Sequence, residues 1–322
     1  MSNNSKNILG IDVAKLKLDV FLLFGNKSLA KQFDNSPKGF KLLSAWLTSL
    51  HLTEVHACLE ATGTYGEAVA KFLFEQGHLV SVVNPLRIKG YATSKMQRNK
   101  TDKADARVIA DFCLTQNPAQ WFPPEPQTLE LQALVRRIES LEEMLQMEQN
   151  RLEVAPTKTK PSLTRMIKTL ENEIKTLKKN VKEHIDNDPK LKEQAKLLQT
   201  IPGIGAKTAA LLLGEIEFSR YESARQVAAY AGVTPSKAQS GTSLKQTKLS
   251  KLGNGRIRKG LYFPAIVART HNQIINDFAN RLEKNGKTAM QIVCASMRKL
   301  LHLAFGVLKH KQPFNPNLAF SS

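Results

Sequence analysis

Apolar and polar positions along the chain change period several times, and each change marks an element or a boundary. Near the N-terminus, "NILGIDVAK" and "LDVFLLF" are short apolar runs with β-branched residues, separated by a turn around Lys15 and Lys17. They predict two strands paired as a hairpin. The run "FKLLSAWLTSL" (40–50) has helical spacing, "EVHACLE" (54–60) reads as a strand, and "YGEAVAKFLFEQG" (65–77) as a helix stopped by glycine. "HLVSVVNP" (78–85) predicts a buried strand ended by its proline, and "KTDKADARVIADFCL" (100–114) a helix begun by Thr101 or Asp102. Strands interleaved with helices in this order predict an α/β sheet with helices on its faces.

The stretch "PAQWFPPEPQ" (118–127) interrupts regular structure, and Leu134, Ile138, Leu141 and Leu145 then mark an amphipathic helix. From 163 the apolar positions Leu163, Ile167, Leu170, Ile174, Leu177 and Val181 alternate spacings of four and three, a heptad seam. Two partners fit such a seam. It can lie on its own domain, or form a helical hairpin or coiled coil that joins subunits. "DNDP" (186–189) ends this helix, and a mostly helical region follows, with apolar helices at 261–270 and 288–308. The expected organisation is an α/β domain over 1–155, a helical coiled-coil linker over 156–190 and a mostly α domain over 191–322. No internal repeat or low-complexity tract interrupts it.

Charge narrows the partner. Among 322 residues, 47 Lys and Arg face 28 Asp and Glu, a net charge of +19. An excess of this size points to a polyanion, because each neutralised phosphate releases condensed counterions. An anionic membrane surface is the competing partner. No apolar run in the sequence approaches the length of a bilayer span, and Met1 to Lys6 lead straight into a strand, so no membrane partner and a cytoplasmic location are expected. Cys58, Cys113 and Cys294 stand far apart without a CxxC pair and read as small hydrophobes in a reducing compartment. The closest histidine pair, His51 and His56, matches no metal spacing.

The acidic residues carry more information. Asp12 sits inside the strand "LGIDVAK", where an unpaired carboxylate is costly to bury. Glu60 ends a second strand, and Asp102 and Asp105 are three apart on one helix, so they share a face. Singly, a helix cap explains Asp102 and strand-end polarity explains Glu60. Together, acids from these separated segments can converge on one point of an α/β sheet, the ribonuclease-H-like arrangement, although spacing alone does not prove that they do. Such a cluster repels itself unless cations neutralise it, and oxygen-only ligands select Mg²⁺ or Mn²⁺. Two such ions clamp the attacking and leaving oxygens of a phosphodiester.

"IPGIG" (201–205) before "AKTAA" resembles a helix-hairpin-helix, whose glycines expose N–H groups to a DNA phosphate; a plain packing joint is the alternative. Gly203, Gly205 and Lys207 are its candidate contacts. "NGKT" (285–288) is not a Walker loop, since Arg281 stands where the first glycine belongs. The stretch "QSGTSLKQTKLSKLGNGRIRKG" (239–260) sets small hydroxyl residues before six cations, Lys245, Lys248, Lys251, Arg256, Arg258 and Lys259, with no acid among them. It reads either as a solvated phosphate-binding turn or as a serine nucleophile in a positive field. No histidine base stands near it in sequence, so activation would come from metal or lysine.

"GIDVAK", "LEATGTY", "VNP", "NKTDKADAR", "IPGIG", "YAGVTPS", "SGTS" and "GVLKHKQPF" follow one another in the order of a single family. Over essentially its whole length the chain resembles the insertion-sequence transposases that join a RuvC-like DEDD domain to a serine-bearing C-terminal transposase domain. Members of that family are known as bridge-RNA-guided recombinases. The resemblance implies catalytic, metal-binding carboxylates at Asp12, Glu60, Asp102 and Asp105, and a nucleophilic serine at Ser240, with Ser243 supporting it. It implies a covalent link to a DNA 5′-phosphate, donor and target DNA as substrates, and a structured guide RNA from the same element. It further implies a homo-oligomer, a dimer of dimers, in which carboxylates and serine come from different protomers. Lys245 and Gln246 depart from the Arg-Gly common after the serine motif. A junction-resolving metal nuclease using water, and a non-catalytic nucleic-acid-binding protein, remain the alternative expectations.

Overall fold

The computed structural model describes residues 7–61, 63–95, 102–240, 244–250 and 252–317. They fall into two compact units, Met1–Pro123 and Pro124–Ser322. The first unit is a five-stranded sheet: β1 (Ile8–Val13), β2 (Lys17–Phe24), β3 (Lys27–Asp34), β4 (His56–Glu60) and β5 (Leu79–Val83). The order is β3-β2-β1-β4-β5. β1, β2 and β3 pair antiparallel, while β4 joins β1 and β5 joins β4 in parallel. This is a mixed sheet with helices on both faces, the α/β architecture that the strand and helix signals predict.

The pleat explains how the sheet is covered. Leu9, Ile11, Ala57 and Leu59 point to one face, where they bury Phe40, Leu43 and Leu47 of α1 (Pro37–Ser49) and Val69, Ala70 and Leu73 of α2 (Glu67–Glu75). Ile8, Cys58 and Val83 point to the other. There they pack on Ile88 of α3 (Pro85–Ser94) and on Ala106, Ile109 and Ala110 of α4 (Asp102–Gln116). Alternate residues serve opposite cores, as period-2 strands buried on both faces require.

Two elements of this unit are absent from the sequence expectation. β3 is an edge strand in which Phe33 alone is buried, so it has no apolar alternation to read. In "VNP" the proline does not only end β5. Asn84 accepts a hydrogen bond from the Leu86 N–H, and Pro85 takes the first helical position, where its missing N–H costs nothing.

The second unit is mostly helical: α5 (Pro126–Glu153), α6 (Lys160–Asn187), α7 (Pro189–Gln199), α8 (Ala206–Glu215), α9 (Ala224–Tyr230), α10 (Gly255–His271), α11 (Gln273–Lys284) and α12 (Ala289–His310). The heptad seam finds a partner within the chain. Leu170, Ile174 and Val181 of α6 are buried in one core with Val135, Ile138 and Leu141 of α5, so the two helices form a hairpin. The boundary expected at 155 falls in the turn between them, and α5 packs with the second unit. A two-stranded ribbon, β6 (Pro235–Ser240) and β7 (Leu244–Leu249), interrupts the helices.

The reading that no segment is long enough to span a bilayer needs correction. α12, with a mean hydropathy of 1.3 over its apolar window, is long and apolar enough, although 61% of that window is buried within the protein. Ile292, Met297, Leu300, Leu301 and Ala304 lie in the core of the second unit, which accounts for the apolar composition.

An ion pair with a buried carboxylate and a partly exposed guanidinium ties α5 to α8. Arg136 donates from Nε to Glu215 Oε1 at 2.7 Å and from Nη2 to Oε2 at 3.1 Å, and Asn254 Nδ2 adds a bond of 2.7 Å. The Glu215 side chain is 0% exposed. Removing the guanidinium leaves a buried carboxylate with Asn254 as its remaining side-chain donor in that set. Arg136→Ala is therefore expected to destabilise the protein by about 3 kcal/mol, read as a lower urea midpoint. A loss below about 1 kcal/mol would show the pair to be dispensable.

Candidate active site

Backbone register brings the first acidic residues together. Ile11 pairs with Leu59 across the parallel β1–β4 ladder, and one residue further on Asp12 and Glu60 stand side by side at the carboxyl ends of these strands. Both are half-buried and both point to the face that α4 covers, since Gly10 and Cys58 two residues earlier lie beneath that helix. α4 runs opposite to the strands. Cys113, near its end, donates from Sγ to the carbonyl of His56 at the start of β4, at 3.9 Å. Gly10 fits between Ala106 and Ala110 one and two turns earlier. The first turn of α4, with Asp105 half-buried on it, therefore projects toward the strand ends that carry Asp12 and Glu60.

Gly10 makes this approach possible. A Cβ there would strike the Ala106 carbonyl oxygen and the Ala110 nitrogen, both backbone atoms that cannot swing aside. Any larger residue must lift α4 from the sheet, and Asp105 with it. The requirement is invisible in the composition of "LGIDVAK", where the glycine looks like a break in a strand.

Asp102 begins α4, but its side chain is outside the described part of the protein. Among the described residues no three His, Cys, Asp or Glu side chains are grouped closely enough to hold a metal ion. The chemistry of the donors nevertheless fits a hard divalent cation: Asp12, Glu60 and Asp105 offer carboxylate oxygens alone at this end of the sheet. His56 and Cys113 lie toward the opposite end, where His56 Nε2 is 2.8 Å from Ser81 Oγ.

Ser240 ends β6 and pairs with Leu244 of β7, so it stands at the tip of the ribbon rather than in an irregular loop. Lys245 pairs with Gln239 and Lys248 with Ser236 in the same ladder. The side chains of Ser240, Lys245 and Lys248, and the whole of Ser243 and Lys251, lie outside the described residues.

The remaining cations of the expected phosphate surface are engaged within the second unit. Lys207 donates to Glu142 at 2.7 Å, Lys259 to Glu143 at 2.6 Å, and Arg256 to Glu139 at 2.5 Å. Burial pushes the Glu142 carboxyl up, but hydrogen bonds from Lys207 and Lys178 outweigh it and hold the group below its usual range. Arg258 donates to the carbonyls of Ala231 and Gly253 at 3.2 and 3.4 Å and so ties down the end of α9. One acidic stripe on α5 thus compensates three cations that the sequence offers to phosphates.

The glycines of "IPGIG" divide the two functions expected of them. Gly203, at φ +103°, is a packing joint: a Cβ would lie 2.7 Å from Ala268 Cβ and 2.9 Å from the Pro264 carbonyl of α10. Gly205 is exposed at the start of α8, and no side chain caps the N–H groups there.

A transposase model for the DEDD domain of IS110 elements matches residues 9–161, and the "Transposase IS116/IS110/IS902 family" model matches residues 195–280. The chain is 36% identical to the "Pilin gene-inverting protein" of Moraxella bovis over 319 residues, 98% of this chain and 99% of that protein. The protein of the same name from Moraxella lacunata matches over the same shares. A "Putative transposase y4qE" of Sinorhizobium fredii is 23% identical over 91% of this chain. The chain belongs to the IS110/IS116 family of transposases. Among solved structures, "T. thermophilus RuvC in complex with Holliday junction substrate" is 16% identical and covers 36% of this chain and 98% of its own, with a TM-score of 0.28, too slight a likeness to argue from.

Proposed function

We propose that this protein is an RNA-guided DNA recombinase that cuts and rejoins strands through a covalent 5′-phosphoserine at Ser240, assisted by the carboxylates at the sheet end. The observation that supports the reading is the placement of Asp12 and Glu60 at adjacent strand ends on the face covered by α4, in a chain that aligns end to end with pilin gene-inverting proteins. Inversion of a DNA segment by those relatives fits a conservative exchange of strands.

Asp12, Glu60, Asp102 and Asp105 would hold Mg²⁺ or Mn²⁺, which when bound offsets the charge that develops on a phosphodiester. Ser240, the last residue of β6, supplies the oxygen that displaces the DNA 3′-oxygen. The bond energy of the broken phosphodiester is kept in the serine ester, so rejoining needs no added energy source. Lys245, Lys248 and Lys251 hold the flanking phosphates, and Gly205 and Lys207 present N–H groups and charge to another stretch of backbone once the Glu142 pair opens. Carboxylates and serine in separate compact units suit an assembly of several protomers, a dimer of dimers acting on donor and target DNA in the cytoplasm.

The guide is tested by sequencing the RNA that copurifies with the protein. One structured species from the DNA flanking its own gene is the expected result. Recombination by RNA-free protein on naked DNA would overturn the guided reading and leave the strand chemistry standing.

A further inference from the structure

We propose that Arg225, Arg298 and His302, with Lys299 and Arg281 beside them, form a phosphodiester-binding site on the second unit. Apart from Arg281, named above only to exclude a Walker loop, none of these residues lies in the motifs already described. The proposal rests on the reading of the chain as a nucleic-acid recombinase and adds a contact surface to it.

Arg298 and His302 are one turn apart on α12 and so share a face. Both are half-buried, and Arg298 Nε and His302 Nε2 are shielded from water without a hydrogen-bond partner. Leaving two such nitrogens unmatched in one turn is unfavourable, and native proteins rarely do it without a ligand, a water or a functional reason. Arg225, exposed in the first turn of α9, completes the group; α9 and α12 are packed neighbours.

The electrostatics point the same way. Burial together with Arg298, Lys299 and Arg225 pushes the His302 imidazole down to about 4. Burial and Arg281 of α11 lower Lys299 as well. Cations repel one another here, and an anion among them would relieve the repulsion. Of the acids ahead of α9, Glu217 is taken by Arg220 at 2.7 Å, and Glu222 is exposed and makes no ion pair among the described residues. The contrast with Lys207, Arg256 and Lys259 is direct: those three have carboxylates from α5, whereas Arg225 and Arg298 make no ion pair among the described residues. A guanidinium and an imidazole one turn apart, with a second guanidinium opposite, match the oxygens of a phosphodiester.

The salt dependence of binding tests this, with a mixed-sequence duplex DNA and a hairpin RNA as separate probes. Arg225→Gln with Arg298→Gln should lower the slope of log affinity against log salt by about two units on the probe that uses the site. A change on the duplex alone assigns the site to DNA, and a change on the hairpin alone assigns it to RNA. Arg225 is exposed, so Arg225→Gln alone keeps the fold and should remove about one unit even where the double variant is unstable. Wild-type slopes on both probes in the single and double variants would overturn the site and leave the recombinase reading intact. Failure of the wild-type protein to bind either probe would overturn both.

Discussion

Asp12→Ala and Asp105→Ala are each expected to reduce DNA strand exchange by at least on the order of 10³-fold, about 4 kcal/mol of transition-state stabilisation, while nucleic-acid binding stays near that of the wild-type protein. Asp12 and Glu60 lie at the ends of adjacent parallel strands, and Asp105 lies in the first turn of α4, which runs antiparallel to them on the same face. Removing either aspartate takes a negative ligand from the place where the cation would sit, without touching the basic surface of the second unit. Gel-shift affinity and recombination product are measured side by side. Exchange at the wild-type rate by either variant would sink the carboxylate assignment. Chelation should stop cleavage in the same way, and Ca²⁺, with its looser coordination, should support binding better than turnover.

The parts of the fold legible in the sequence are those in which local pattern and burial agree. β1 and β2 bury alternate residues into different cores, and their apolar runs are plain to read. β6 and β7 offer no such signal. "PSKAQS" and "LKQTKL" are polar strands whose pairing comes from the ladder of backbone hydrogen bonds rather than from an apolar face, so the stretch around Ser240 reads as a loop. The α5–α6 hairpin shows the reverse. The seam is evident at 163–181, but a heptad pattern specifies that a helix partner exists and not which chain supplies it; here Val135, Ile138 and Leu141 lie against it.

The site was legible by residue type and less so by surroundings. The sequence places Asp12 inside one strand and Glu60 at the end of another, but their adjacency depends on the parallel register of β1 and β4, which no local pattern encodes. The basic stretch is evident from cations close in sequence, but the acids that compensate Lys207, Arg256 and Lys259 come from a helix over sixty residues away in the chain. Charge counted along a sequence therefore overstates the charge free to meet a phosphate. Arg225 and Arg298 give no clustered signal in the sequence for the opposite reason, because they come together only through the packing of α9 on α12. The signal was present in the i, i+4 spacing of Arg298 and His302 on an otherwise apolar face.

Ser240→Ala is expected to bind DNA and RNA normally and to form no covalent adduct, with strand cleavage falling by on the order of 10⁶-fold, as when a catalytic nucleophile is lost. Only one γ-oxygen is removed, from the last residue of a ribbon strand, so the pairing with Leu244 is kept. Ser243→Ala should be milder, because a hydroxyl three residues on can assist by hydrogen bonding without carrying the phosphoryl group. Ser240→Cys should retain at most a trace of activity, since a thiolate is poorly matched to phosphorus beside a hard cation. The measurement is a denaturation-resistant protein–DNA species trapped on a nicked suicide substrate, with the modified peptide located by mass. A metal nuclease that uses water would instead leave a free 5′-phosphate, and its Ser240→Ala variant would still cut. That outcome would keep the carboxylate chemistry and reduce Ser240 to a phosphate contact; an adduct at Ser243 would move the nucleophile three residues along the chain and keep the recombinase reading.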